Sequence, residues 1–229
     1  MRYQVYKKCG WMESTTHESR TLSLEISTGN PKCSGRFLVL VMNWARQYAS
    51  SFVFSVGDTL RIHNYVSVGH PEHGLLTPSE AGAVARAEGT AWYEANASAI
   101  GKYFADCEVE IVRWDDWKAH PDFEYRLAVL EHAYASDVRF ADTIRSDLRK
   151  YLNRQGLLAR PRRPDESLVL DQLANYLLEE LAVYSIQADT PATVNVYPGS
   201  QMNVFKEMST FESVPPSLKV RHYAYLEIH

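Results

Sequence analysis

Short apolar runs alternate with long helical stretches along this chain, and that order constrains its fold more than any other feature. Leu22, Leu24 and Ile26 alternate with polar residues and stop at Ser27-Thr28-Gly29-Asn30, a strand followed by a tight turn. Phe52 to Val56, closed by Gly57-Asp58, and Glu108 to Val112 read as further strands, as do Thr193 to Tyr197 and Lys219 to Ile228. Between them lie helical segments. Phe37 to Tyr48 is apolar on nearly every side, and its length favours a helix packed between layers. Thr77-Pro78-Ser79-Glu80 supplies a hydroxyl cap, a proline in the first turn and a glutamate at the third helical position, opening a helix to about Phe104. A helix from about Phe123 to Asn153 contains a break, and Asp165-Glu166-Ser167 caps another that runs to about Tyr184. Strands separated by helices predict an α/β fold around a mostly parallel sheet. No stretch inside residues 1–229 marks a boundary, so a single domain is expected.

A chain of 229 residues with 45% hydrophobic and 23% charged residues has the composition of a soluble globular domain with a sizeable core. No apolar run approaches the roughly 20 residues that span a bilayer. Met1-Arg2-Tyr3-Gln4 lacks the apolar core of a signal peptide, and Cys9, Cys33 and Cys107 form neither a disulfide framework nor a zinc pattern. The cytoplasm is the expected compartment, with no membrane contact. A net charge of −4 excludes a globally basic nucleic-acid coat, but Arg145, Arg149, Lys150, Arg154, Arg160, Arg162 and Arg163 form a local basic face opposed only by Asp147. Such a face is either a solvated surface or a contact for a phosphate backbone.

Three segments could carry chemistry. Ser27 ends its strand where ligands bind in open α/β sheets, and its hydroxyl suits a nucleophile, an anion-binding group or a turn cap. On the helix before Tyr184, Tyr176 and Glu180 are four apart and share a largely apolar face with Val169, Leu173 and Val183. Glu179 points toward the side of Gln172 and Asn175, which leaves Glu180 as the carboxylate whose burial needs explaining. Tyr197, before Pro198, puts a phenol at the sheet rim. His63, His70 and His73 lack the spacing of a metal motif and read as members of a mobile polar loop.

Taken in order, these segments resemble the cyclodipeptide synthases. The resemblance rests on Ser27-Thr28-Gly29-Asn30, on Trp44-Ala45 in the apolar helix, on Tyr176 with Glu180, on Tyr197 at a strand end and on the helix-borne Tyr125. It covers roughly Leu22 to Tyr197; no single motif is specific, but the ordered combination is. The resemblance implies a Rossmann-like fold similar to the catalytic domain of class I tyrosyl- and tryptophanyl-tRNA synthetases. It implies two aminoacyl-tRNAs as substrates, a cyclic dipeptide (2,5-diketopiperazine) as product, and neither metal nor cofactor. By match, Ser27 would carry the aminoacyl and dipeptidyl groups and Tyr176 with Glu180 would hold the amine. Tyr197 would transfer a proton, and Tyr125 would join this catalytic group. Gly29 and Asn30 would belong to the substrate-binding turn, and a monomer is expected.

The departures from the family pattern are informative. Glu25 stands where many members have glycine, and Asn195 where an apolar residue is common; similar enzymes line the first aminoacyl pocket with both positions. An acid and an amide suit a polar or cationic donor, with His favoured because neutral imidazole both donates and accepts hydrogen bonds. The helix after the second strand, strongly basic in some relatives, offers only Arg86 and Lys102 against Glu80, Glu88 and Glu94. The Arg145–Arg163 region is therefore the better tRNA surface. Asn30 is typical of one subgroup and Tyr197-Pro198 of another. Two other classes compete with this reading: a non-catalytic tRNA-binding relative of class I synthetase domains, and an α/β serine esterase. The second fails at Glu25, where G-x-S-x-G requires glycine.

Overall fold

In the computed structural model, the described residues are 3–8, 20–154, 166–190, 193–199, 202–219 and 223–228. Six strands form one sheet in the order β1-β6-β5-β2-β3-β4: β1 (Tyr3–Lys8), β2 (Thr21–Ile26), β3 (Ser51–Val56), β4 (Glu108–Arg113), β5 (Thr193–Tyr197) and β6 (Tyr223–Ile228). From β6 to β4 every neighbouring pair is parallel, and β1 adds an antiparallel edge strand to β6. The expected α/β class with a mostly parallel sheet is what the chain forms. Lys219 is not the start of the last strand, because it caps a 3-10 turn over Pro216–Leu218; β6 is described from Tyr223.

The helices are α1 (Gly35–Ala45), α2 (Ile62–Ser67), α3 (Pro78–Tyr103), α4 (Trp114–Lys118), α5 (Phe123–Ser136), α6 (Val138–Arg154), α7 (Glu166–Gln187) and α8 (Asn203–Glu207). Thr77 and Glu80 form the expected capping box of α3, with Thr77 N donating to Glu80 Oε2 at 2.9 Å. The break between α5 and α6 falls at Asp137. Its backbone is extended, and its Oδ1 accepts from Phe140 N at 3.1 Å to start the second helix. Among the described residues no helix is long and apolar enough to cross a membrane.

Two cores flank the sheet. Leu22, Leu24, Ile26, Phe52, Phe54, Val56, Val194 and Val196 pack on α1 and α3 through Leu38, Val41, Trp44, Trp92 and Ile100. A second core joins α5, α6, α7 and α8 through Leu130, Ile144, Leu148, Leu177, Leu181 and Phe205. The residues of β2, β3 and β5 that alternate with the apolar set are Ser23, Glu25, Ser55 and Asn195, and all four are buried. Period-two alternation ordinarily turns the polar set toward water; here that set meets α7.

The strand order also fixes where a ligand can sit. From β2 the chain crosses to β3 on one side, and the later β5 pairs on the other. The crevice at the C-terminal ends of β2 and β5 is therefore a topological switch point. Ser27 follows β2 and Tyr197 ends β5, so both lie at that crevice.

Candidate active site

A pocket of about 260 Å³, counting the space at its mouth, opens at the switch point. Its walls are Glu25, Ile26, Ser27, Ser55, Gly57, Leu60, Trp114, Tyr176, Glu180, Tyr184 and Tyr197. Sequence elements more than 150 residues apart meet there.

Ser27 opens a turn in which Asn30 N donates to Ser27 O at 2.9 Å. The side chain of Asn30 then ties this turn to the end of β5: Nδ2 donates to Pro198 O at 3.0 Å and to Tyr197 Oη at 3.3 Å. Its Oδ1 accepts from Lys32 N at 3.0 Å, capping the 3-10 turn before α1. Two glycines lie at close approaches to side chains. A Cβ at Gly29 would lie 2.5 Å from the guanidinium carbon of Arg61, and one at Gly199 would lie 2.2 Å from the Tyr197 ring. Both leave room for a side chain at the pocket's rim.

From α7, Tyr176 and Glu180 enter the pocket together, as their spacing predicts. Tyr184, four residues further, donates from Oη to Glu180 Oε1 at 3.1 Å. Glu180 Oε2 is buried with no hydrogen-bond partner among the described residues. Burial pushes the Glu180 carboxyl up to about 7 against the Tyr184 hydrogen bond. It also raises Tyr176, with the Glu180 charge adding to the effect, and raises Tyr197. Both phenols therefore keep their protons at neutral pH and can donate.

Behind the wall residues Glu25 and Ser55 runs a buried polar chain. Ser23 Oγ donates to Glu25 Oε1 at 2.8 Å, Trp117 Nε1 to Ser55 Oγ at 3.0 Å, and Gln187 Nε2 to Ser55 Oγ at 3.4 Å. Asn195 Nδ2 donates to Gln187 Oε1 at 2.6 Å, which places Asn195 behind the wall rather than in it. Burial raises Glu25 to about 8, opposed by hydrogen bonds from Ser23, Ser55 and Gln187 and reinforced by the charge of Glu180. Burial thus favours the neutral acid at Glu25.

Some expectations need correction. Tyr125 does not reach the pocket: it is 68% exposed, because α5 turns Phe123, Arg126, Leu130 and Ala133 inward instead. Glu179 is not directed to the solvent side with Gln172 and Asn175. It is buried and accepts from His63 Nε2 at 2.9 Å, Lys118 Nζ at 3.1 Å and Trp114 Nε1 at 3.1 Å. His63 accordingly sits on α2 as a structural partner, and His70 pairs with Glu88 at 3.2 Å, so neither belongs to a mobile loop. The basic face is more opposed than its sequence suggests: Arg145 pairs with Asp171, Arg149 with Glu166 and Lys150 with Asp147. Arg154 has no ion pair among the described residues, and its charge reaches Tyr197 and Tyr151. Arg160, Arg162 and Arg163 lie outside the described residues.

Sequence reasoning missed Tyr184, Ser55, Gln187, Trp114 and Arg61. Tyr184 repeats the four-residue step that links Tyr176 to Glu180, and Ser55 interrupts an otherwise apolar strand, so both carried a signal. Gln187, Trp114 and Arg61 carried none, since only the tertiary fold brings them in.

No protein-family model and no curated protein matches the sequence. Solved structures do match. A CDPS from Fluoribacter dumoffii superposes with a TM-score of 0.79 at 19% identity, covering 99% of this chain and 96% of that one. A cyclodipeptide synthase from Candidatus Glomeribacter gigasporarum bound to Phe-tRNAPhe gives 0.63 at 21% identity, covering 91% and 87%. A Mycobacterium tuberculosis protein, whose structure demonstrates that cyclodipeptide synthetases are related to type I tRNA synthetases, gives 0.69 at 14% identity, covering 98% and 90%. With the switch-point pocket, these superpositions lead to one conclusion: the chain has the fold of the cyclodipeptide synthases.

Proposed function

We propose that this chain is a tRNA-dependent cyclodipeptide synthase whose covalent intermediates form on Ser27. The observation that carries the reading is the buried Glu180 Oε2, without a hydrogen-bond partner among the described residues, in the same pocket as Ser27, Tyr176 and Tyr197. A buried carboxylate oxygen without a partner costs stability, and an α-ammonium beside the nucleophile supplies the missing donor.

In this mechanism Ser27 Oγ attacks the ester carbonyl of the first aminoacyl-tRNA, and the tRNA ribose hydroxyl leaves with the proton. The amine of the aminoacyl-serine, held by Tyr176 and Glu180, then attacks the ester of a second aminoacyl-tRNA, forming the peptide bond and releasing the second tRNA. The free amine of the new dipeptidyl-serine attacks its own ester carbonyl, closing the ring and restoring Ser27. Each step exchanges an activated ester for an ester or an amide, so neither ATP nor metal is required. Glu180, near 7, can hold an ammonium when ionised and accept its proton when a neutral amine must attack. Tyr197 stays protonated and serves as the donor to departing oxygen.

The wall residues Glu25 and Ser55, backed by Gln187 and Asn195, support a polar or cationic first donor, with His favoured. A Leu or Phe side chain there would leave these polar groups without new partners. The tRNA body would dock on the α6 side, where Arg154 connects the basic face to the pocket.

The test is mass spectrometry of culture medium from bacteria expressing the wild type and Ser27→Ala. Diketopiperazine masses present only with the wild type are expected, with a His-containing product foremost. Products built only from Leu or Phe would overturn the donor assignment. No product from soluble wild-type chain that still retains tRNA on a filter would favour a binding protein over an enzyme.

A further inference from the structure

Arg61 lies outside the pocket wall yet touches the turn that presents Ser27. Its Nη1 donates to Glu88 Oε2 at 3.0 Å and reaches Thr28 Oγ1 at 3.5 Å, and its guanidinium carbon sits 4.9 Å from the centre of the Tyr65 ring. Gly29, which is exposed, lacks the Cβ that would collide with this guanidinium. Glu88, the anchor, is itself held by Tyr65 Oη and by His70 Nε2 at 3.2 Å. Three side chains, Tyr65 on α2, Glu88 on α3 and His70 in the loop between these helices, thus hold the Arg61 guanidinium against the nucleophile's turn.

That arrangement exceeds what a surface ion pair needs. Arg61 is only 17% exposed, and its Nη2 and Nε have no hydrogen-bond partner among the described residues. A guanidinium has five donors in a rigid fork, suited to phosphate and carboxylate. Its positive charge reaches Tyr176 inside the pocket and Tyr151 beside it, and Tyr151 also feels Arg154. Beside the nucleophile's turn, then, sits one guanidinium fixed in place by Glu88 and Tyr65.

We propose that Arg61 binds the last phosphodiester of the RNA whose 3′ end enters the pocket. The inference rests on the aminoacyl-tRNA reading above. There the acyl group occupies the pocket, the terminal ribose stops beside Ser27, and the first anion outward is the terminal internucleotide phosphate. Only a donor at the rim, next to Thr28 and Gly29, meets that anion; a donor in the pocket wall meets the amino-acid side chain. Arg61 thereby sets the distance between the ester carbonyl and Ser27 Oγ without contacting either.

The test is a binding cycle that needs no turnover. The probes are two RNA hairpins ending in CCA, one natural and one with a neutral methylphosphonate as the last internucleotide linkage. Fluorescence anisotropy with the full chain should show the natural hairpin bound roughly tenfold more tightly, the scale of a charge-assisted hydrogen bond. Arg61→Gln should bind both alike, and the slope of log affinity against log salt should fall by roughly one. Gly29→Ala keeps the charge but displaces the guanidinium, so it should lose the same discrimination while retaining the fold, read by circular dichroism. Equal binding of both hairpins by the wild type, or full discrimination by Arg61→Gln, would overturn the assignment. If cyclic dipeptides are made while discrimination is absent, only the Arg61 proposal fails. If discrimination is present and no dipeptide is made, the Arg61 site stands and the synthase reading fails.

Discussion

Asn30 donates from one side-chain nitrogen to the Tyr197 phenol at 3.3 Å and to the neighbouring Pro198 carbonyl at 3.0 Å, clamping the turn after β2 to the end of β5. Those two strand ends form the switch point, so this clamp sets the spacing between Ser27 and Tyr197. Asn30→Ala removes both hydrogen bonds and should cost about 1–2 kcal/mol of stability. Product formation should fall more, by roughly tenfold or greater, because misplacing a catalytic group is penalised steeply. Asn30→Asp keeps the oxygen that caps Lys32 but sets an acceptor against the Pro198 carbonyl, so it should not rescue. Urea melts and product yields measured together check both outcomes; undiminished yield from Asn30→Ala would show that the clamp is dispensable.

Burial holds Glu25 at about 8 and Glu180 at about 7, both above the ordinary 4.5. Between about pH 4.5 and pH 8 the folded chain therefore binds more protons than the unfolded chain. Stability should fall as pH rises through that window and level off above it. The melting temperature at pH 8.5 should lie below that at pH 5 by roughly 5 °C or more. Glu25→Gln with Glu180→Gln should abolish most of this difference. A double variant with the wild-type slope would place the responsible groups elsewhere.

Adjacent on α7, Glu179 and Glu180 should respond oppositely to substitution. Glu179 is saturated by His63, Lys118 and Trp114; burial alone would raise it, but these partners hold it below its ordinary range. Glu179→Ala should cost about 2 kcal/mol, since it leaves the buried Trp114 N–H without an acceptor and the half-buried His63 and Lys118 without their partner. Glu180→Gln removes an acid whose second oxygen has no partner among the described residues, so it should be neutral or stabilising at pH 8 while abolishing product. Denaturant melts of both variants decide the matter; a large loss from Glu180→Gln would mark that carboxylate as structural.

The parallel sheet and most helices were legible because strand length, caps and periodicity act locally. The Thr77–Glu80 capping box and the break at Asp137 are examples, each set by side chains within three residues of the helix start. Ser27, Tyr176, Glu180 and Tyr197 were legible as a set, and the fold brings all four to one pocket. The alternation of β2 was legible too, and the resemblance set Glu25 at the first aminoacyl pocket, but period two alone would turn Ser23 and Glu25 toward water, whereas both are buried. Glu179 was misread because the partners that allow its burial come from α2 and α4, 61 or more residues away. Arg61 left no trace, since its meaning depends on Gly29 lacking a Cβ on another element.

Donor choice offers the most direct manipulation of the pocket. Glu25 belongs to its wall, and Asn195 supports that wall through Gln187, so changing one alone leaves the other's hydrogen-bonding group unmatched. Glu25→Leu alone should reduce total product without a clean change of identity, because Ser23 and Ser55 would lose a partner. Glu25→Leu with Asn195→Val and Gln187→Leu removes the linked acid and amides together; Ser23 still loses Glu25 and Ser55 still loses Glu25 and Gln187, so the variant should cost about 1–3 kcal/mol. That triple variant should exchange polar first donors for Leu or Phe, a shift of at least tenfold in product ratio, since unpaired buried polar groups discriminate more strongly than methylenes do. Mass spectrometry of the diketopiperazines reads the ratio directly. An unchanged product profile from a folded, active triple variant would mean that this part of the wall does not meet the first side chain at all.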